Sequence, residues 1–121
     1  MNWTALLILA AVVVAFLLYQ RSGLISAKDA KAYLKSGALV IDVRTAGEFV
    51  ARHLPIAVNL PLSEIETNWS RRVKDKNQVL LLHCQSGARS GAAKKKLIAL
   101  GCTNTFNLGS YARAERIVAG R

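Results

Sequence analysis

The chain has 121 residues, is 52% hydrophobic, and sets 17 Lys+Arg against 7 Asp+Glu for a formal net charge of +10. That apolar content excludes intrinsic disorder, and two cysteines are too few for a disulfide scaffold. The excess hydrophobicity is local: the first 20 residues hold 17 hydrophobic side chains and no Asp, Glu, Lys or Arg. The basic remainder has an ordinary globular composition and enough chain for one core, not two.

Trp3 to Tyr19 reads WTALLILAAVVVAFLLY, with Thr4 its one polar member. As a helix it is about 25 Å long, slightly short of a typical hydrocarbon core but inside the usual range for a span. Trp3 and Tyr19 bracket it where interfacial aromatics belong. A cleaved signal peptide fits less well, because no basic region precedes Trp3 and no small-x-small site follows. Residues 1–22 are therefore expected to be a single transmembrane anchor that reaches the membrane through residues 3–19, and residues 23–121 a separate domain. Arg21, Lys28, Lys31 and Lys35 follow the segment, and no charged side chain precedes it. The positive-inside rule then puts the domain on the cytoplasmic side of a bacterial-type inner membrane. A periplasmic domain is the alternative.

After Gly23 the pattern alternates between helix and strand. Ser26 opens a helix in a capping-box-like way, running through Leu34 to a stop at Gly37. Ala38 to Val43 is a continuous, β-branched apolar run, as expected of a buried parallel strand. Thr45 to Arg52 reads as a short helix and Ala57 to Leu60 as a brief strand. Ser63 is placed as the cap of a helix reaching about Val73. Val79 to His83 is another buried strand, and Ser90 to Leu100 a helix ending at Gly101. Thr105 to Leu108 and Tyr111 to Val118 are the last strand and helix. Alternation of this kind predicts an α/β fold: a mostly parallel sheet of about five strands with helices on both faces. Ligands of such sheets bind at the carboxyl ends of the strands.

The strand at Val79–His83 runs straight into Cys84-Gln-Ser-Gly-Ala-Arg-Ser90, and a helix follows. Consecutive N–H groups in a tight loop can converge as an anion nest, and the helix start adds partial positive charge. Arg89 adds a full one. Together these favour a thiolate, so the Cys84 pKa is expected to be depressed. Gly87 sits where the loop needs positive φ or close backbone approach. A cysteine that is merely a small buried hydrophobe is the alternative.

The stretches IDVRTAGEF (Ile41–Phe49), HLP (His53–Pro55), VNLPL (Val58–Leu62) and HCQSGARSG (His83–Gly91), taken in order, resemble a rhodanese, or sulfurtransferase, domain of the single-domain type. The likeness runs from about Ile25 to the C-terminus and leaves the apolar segment outside it. It implies that the Cys84 thiolate attacks the outer sulfur of a small anionic donor such as thiosulfate. Sulfite leaves, and a thiol acceptor, or cyanide in assays, later removes the sulfur from the Cys84 persulfide. The amides of Gln85, Ser86, Gly87, Ala88 and Arg89 would hold the persulfide and the donor, with Arg89 supplying charge or bracing the loop. No metal or organic cofactor is implied.

Loop length separates the relatives. Cys84 to Arg89 is six residues, as in the sulfurtransferases the chain resembles. The related dual-specificity phosphatases and arsenate reductases have seven, which leaves room for a tetrahedral oxyanion. Asp42 and Arg44 match the family's Asp-x-Arg signature and are read as bracing the site, with Arg44 also placed to pair with Glu48. His53 matches the family's histidine before the next strand and is read as a structural hydrogen-bonding group. His83 points to the sheet face opposite Cys84, and Cys102 belongs to the core. The sequence departs from the family at Ile56, where a glycine is usual, at Gly109-Ser110, and at Ala114, where an aromatic is common. A module that carries persulfide or senses it without turnover is the second functional reading.

The charge invites a nucleic-acid reading. Yet its one tight run, Lys94–Lys96, reads as a solvated helix face, so no nucleic-acid partner is expected. Cations beside an anchor fit anionic headgroups and the steering of anionic donors better.

Overall fold

A computed structural model describes residues 2–120, apart from the side chains of Gln20, Arg21 and Ser22. The helices are α1 (Trp3–Ser22), α2 (Ala27–Lys35), α3 (Ala46–Ala51), α4 (Ile65–Arg72), α5 (Ala88–Ala99) and α6 (Tyr111–Ala119), with a 3-10 turn at Leu62–Glu64. The strands are β1 (Leu39–Asp42), β2 (Ala57–Asn59), β3 (Leu80–His83) and β4 (Thr105–Gly109). They form one sheet in the order β2-β1-β3-β4, and every pairing is parallel.

Two expectations fail here. The first is the strand count: the described residues form four strands, not five. The segment before α2 does approach the sheet edge, where the Ile25 N–H donates to the Asn107 carbonyl at 3.0 Å. It makes a single bridge, Leu24 to Asn107, because Ser26 immediately caps α2 by accepting from the Asp29 N–H and turns the chain away. The second is the membrane anchor. Trp3–Ser22 is a 20-residue helix with exposed apolar side chains, yet among the described residues no helix is long and apolar enough to cross a membrane. The apolar stretch Trp3–Tyr19, with its rise of about 25 Å, falls short of the ~30 Å of a hydrocarbon core. Arg21, one of the cations used to orient the segment, has its side chain outside the described residues.

The core lies on both faces of the sheet, as side-chain alternation along each strand requires. On one face Ile41, Val43, Leu80, Leu82 and Cys84 pack with Ile65 of α4 and with Ala93 and Leu97 of α5. On the other, Val40, Leu81 and Leu108 pack with Ala30 of α2 and with Tyr111, Ala114 and Ile117 of α6. Leu80, Leu81 and Leu82 are fully buried, so β3 is the sheet's covered centre, and the loop that leaves it starts from a rigid base. Ser63 does not cap a helix: it lies inside the 3-10 turn, and α4 begins at Ile65 with no side-chain cap.

Candidate functional site

The loop after β3 is held by backbone on three sides. Cys84 donates its N–H to the Gly109 carbonyl at 3.2 Å, and Tyr111 donates to the Gln85 carbonyl at 3.3 Å. Ser86 bridges to Ser110. The chain then turns through Gly87 at φ +98 and enters α5 at Ala88. This glycine is required twice over. An L side chain strains at that φ, and a Cβ there would sit 3.3 Å from the Gly109 Cα. The helix starts two residues earlier than its apolar pattern suggests, so Ala88 and Arg89 belong to its first turn rather than to the loop.

The turn folds donors onto the sulfur. The Gly87 N–H donates to Cys84 Sγ at 3.0 Å, and the Ser90 hydroxyl lies 3.5 Å from it. Cys84 is itself fully buried. Burial is the largest influence on its pKa and pushes it up; the Ser90 hydroxyl and the amides of Ser90, Gly87 and Ser86 together outweigh burial and bring it down. The site is thus a covered sulfur ringed by donors, which is the arrangement that stabilises sulfur carrying negative charge.

Ser90 and Asn107 form a support that the sequence did not flag. The Asn107 carboxamide oxygen lies 2.7 Å from Ser90 Oγ and accepts the Gly109 N–H at 2.8 Å. Its amide nitrogen donates to the Gly87 carbonyl at 3.2 Å. One side chain therefore ties β4, the loop and the start of α5 together. A polar residue buried in an apolar strand was the available signal, because such a group needs partners.

Arg89 does not aim its charge at the sulfur alone. Its guanidinium forks onto Glu48 at 2.6 and 3.0 Å. Glu48 also closes a capping box with Thr45 at the start of α3. The Arg89 hydrogen bond is the main reason that the Glu48 carboxyl is held down at about 2. Arg44 is not the partner of Glu48: it grips Asp42 in the fork-on-carboxylate manner, with contacts of 2.8 to 3.1 Å, and donates to the Arg52 carbonyl at 2.6 Å. Asp42 registers opposite His83, so this pair braces the strand ends on the face away from Cys84. There His83 stacks edge-on to Tyr111 and donates from Nδ1 to the Cys84 carbonyl at 3.3 Å. Its Nε2 has no hydrogen-bond partner among the described residues. Burial drives its pKa down, which leaves the ring neutral near neutral pH. His53 is exposed, stacks on Phe49, and hydrogen-bonds the Phe49 carbonyl at 2.7 Å. The structure thus gathers Cys84 to Gly87 into a loop that runs into Ala88 and Arg89 in the first turn of α5, sets Asp42 and Arg44 behind it, and leaves His53 on α3's exit.

Comparison with known proteins decides the family. Residues 26–113 match the model of the rhodanese-like domain. The chain belongs to the rhodanese-like family. Thiosulfate sulfurtransferase PspE of Escherichia coli is 36% identical over 69 residues, covering 57% of this chain and 66% of that protein. The curated relatives it matches are covered over 40% to 66% of their own length. Among solved structures, a human single-domain sulfurtransferase, TSTD1, superposes with a TM-score of 0.67 at 27% identity, covering 78% of this chain and 96% of that one. A rhodanese with anions from E. coli superposes at 0.60 with 32% identity, covering 64% and 91%. In this rhodanese-like chain the family match takes in the whole cysteine loop and both of its supports, Glu48 and Asn107, and it begins after α1.

Proposed function

We propose that this rhodanese-like chain is a sulfurtransferase that carries sulfane sulfur on Cys84. The observation that carries the reading is the donor ring around a buried sulfur: Gly87 N–H at 3.0 Å, Ser90 hydroxyl at 3.5 Å, and a pKa lowered despite burial. In the first half-reaction the Cys84 thiolate attacks the outer sulfur of thiosulfate. The sulfur–sulfur bond of the donor breaks, its electron pair leaves with sulfite, and Cys84 becomes a persulfide. In the second, an acceptor thiolate attacks the outer persulfide sulfur, and Cys84 leaves as thiolate. The loop amides hold the negative sulfur in both states, and no proton transfer by His53 or His83 is needed. Arg89, paired with Glu48, serves as a brace for the loop more than as a donor-binding charge.

The test is mass spectrometry of the intact chain after incubation with thiosulfate, alongside thiocyanate production with cyanide. The expected result is the gain of one sulfur atom and turnover, both lost in Cys84→Ser. No adduct with thiosulfate or with a small-molecule persulfide would overturn the reading. A second reading rests on the complete burial of Cys84: a carrier that loads sulfur but delivers it only to a docked partner. Stoichiometric loading with negligible turnover to cyanide or small thiols would favour the carrier.

A further inference from the structure

Among the described residues, three arginines have guanidiniums that are at least partly covered, and one is held unlike the others. Arg44 meets Asp42, and Arg89 meets Glu48. Arg113 meets only carbonyls: Nη1 donates to Leu108 and Nη2 to Ile25, each at 2.6 Å. These bonds fix the fork between the end of β4 and the segment entering α2, but carbonyl dipoles do not cancel a full charge. A carboxylate raises the pKa of Arg44 and of Arg89. Burial and then Arg116 lower that of Arg113. Holding two like charges together with no counter-ion among the described residues costs free energy.

An open cavity of about 210 Å³ lies against this pair, lined by Ala27, Lys31, Arg113, Arg116 and Ile117. Three of the five are cationic, none is acidic, and none of the three cations is in an ion pair among the described residues. No residue of the Cys84–Arg89 loop lines it. At about 30 Å³ per water the space holds several waters, or one small oxyanion with some of its hydration.

We propose that the cavity between α2 and α6 binds a small, doubly charged oxyanion of the phosphate type, free or as a monoester, through Lys31, Arg113 and Arg116. Arg113 is already oriented by its two carbonyls, so little of its rotamer freedom is lost on binding. Lys31 and Arg116, on the two facing helices, close over the anion from either side. The occupant supplies the negative charge that none of the described lining residues carries.

The experiment is a titration of the isotopically labelled full chain with inorganic phosphate, followed by amide NMR shifts, with sodium chloride at matched ionic strength as the control. Saturable shifts at Ala27, Lys31 and Arg113 to Ile117, with a Kd on the order of 1 mM or tighter, are expected. The double variant K31Q/R116Q, which leaves Arg113 and its two carbonyl bonds in place, should weaken binding by about tenfold or more with an unchanged melting temperature. A parallel titration with glycerol phosphate separates the two sources: tighter binding than phosphate assigns a monoester, and weaker binding assigns the free ion. Shifts that do not saturate, that chloride reproduces, that are confined to residues 85–89, or that persist unchanged in the double variant would overturn the proposal. None of these outcomes depends on sulfur transfer.

Discussion

Cys84 and Cys102 share one hydrophobic cluster, and both are fully buried. Their thiols nevertheless shift in opposite directions. Burial raises Cys102, with only a weaker opposing pull from Lys76. The same burial acts on Cys84, but the Ser90 hydroxyl and three amides reverse it. Cys102 sits just past the end of α5, and among the described residues no hydrogen-bond donor reaches its sulfur. Cys84 sits at the other end, where α5 begins and the free groups are N–H donors. Exposure therefore says little about which cysteine is reactive in this fold. The hydrogen-bond donors gathered on the sulfur decide it.

The most severe break of this contrast is removal of each sulfur in turn. Cys84→Ser should lose persulfide formation and thiocyanate production completely, while Cys102→Ser keeps both within about twofold, because it touches no donor of the loop. Intact mass and turnover measure the two. If Cys102→Ser were equally dead, the assignment of one reactive and one structural thiol would fall.

Gly87→Ala attacks the donors through the backbone. A side chain at φ +98, 3.3 Å from the Gly109 Cα, costs about 1–3 kcal/mol in strain. The loop relieves that strain by withdrawing the Gly87 N–H from the sulfur. Turnover should fall by about tenfold to a hundredfold, and the pH at which Cys84 alkylates half-maximally should rise. Ser90→Ala is milder and more specific. It removes the hydroxyl that lies 3.5 Å from the sulfur, and alkylation of Cys84 near neutral pH should slow by roughly tenfold. Cys102 alkylation in unfolding conditions supplies the internal reference, since its surroundings do not change.

Much of this was legible in the sequence, and the reasons for the rest are physical. The β-branched run at Val40–Val43 and the leucines of Leu80–Leu82 announced buried parallel strands because nothing else tolerates them so continuously. Gly87 announced positive φ, and Ser26 announced the cap of α2. The donor ring was legible only in part: the loop amides follow from the turn, whereas Ser90 and Asn107 meet across 17 residues, and no local pattern encodes that distance. The same limit governs Glu48, which lies four residues from Arg44 but 41 from its real partner, Arg89. Local spacing favours the near cation; the sheet order brings the far one closer. The shortfall of the apolar segment is a matter of length. The 17 residues of Trp3–Tyr19 lie at the margin where composition says membrane and rise per residue does not.

The smallest expected effect is the most direct test of the opposite shifts, because it reads both thiols through stability. The sign differs for each. Cys102 has a folded pKa above the ordinary thiol value of 9.0. As pH rises past that value the unfolded chain releases the proton and the folded chain keeps it, so Cys102 increasingly disfavours the fold. Cys84 has a folded pKa below 9.0. As pH rises through that lowered value the folded chain releases its proton first, and the thiolate adds stability that is fully present above 9.0. Urea unfolding at about pH 8 and about pH 10 isolates these contributions, because a fixed packing penalty cancels in the difference between the two. Relative to the parent chain, Cys102→Ala should lose less stability on going to the higher pH, and Cys84→Ser should lose more. Changes of the same sign in both variants would mean that the loop donors do not outweigh burial at Cys84, and the contrast between the two cysteines would collapse to one of position alone.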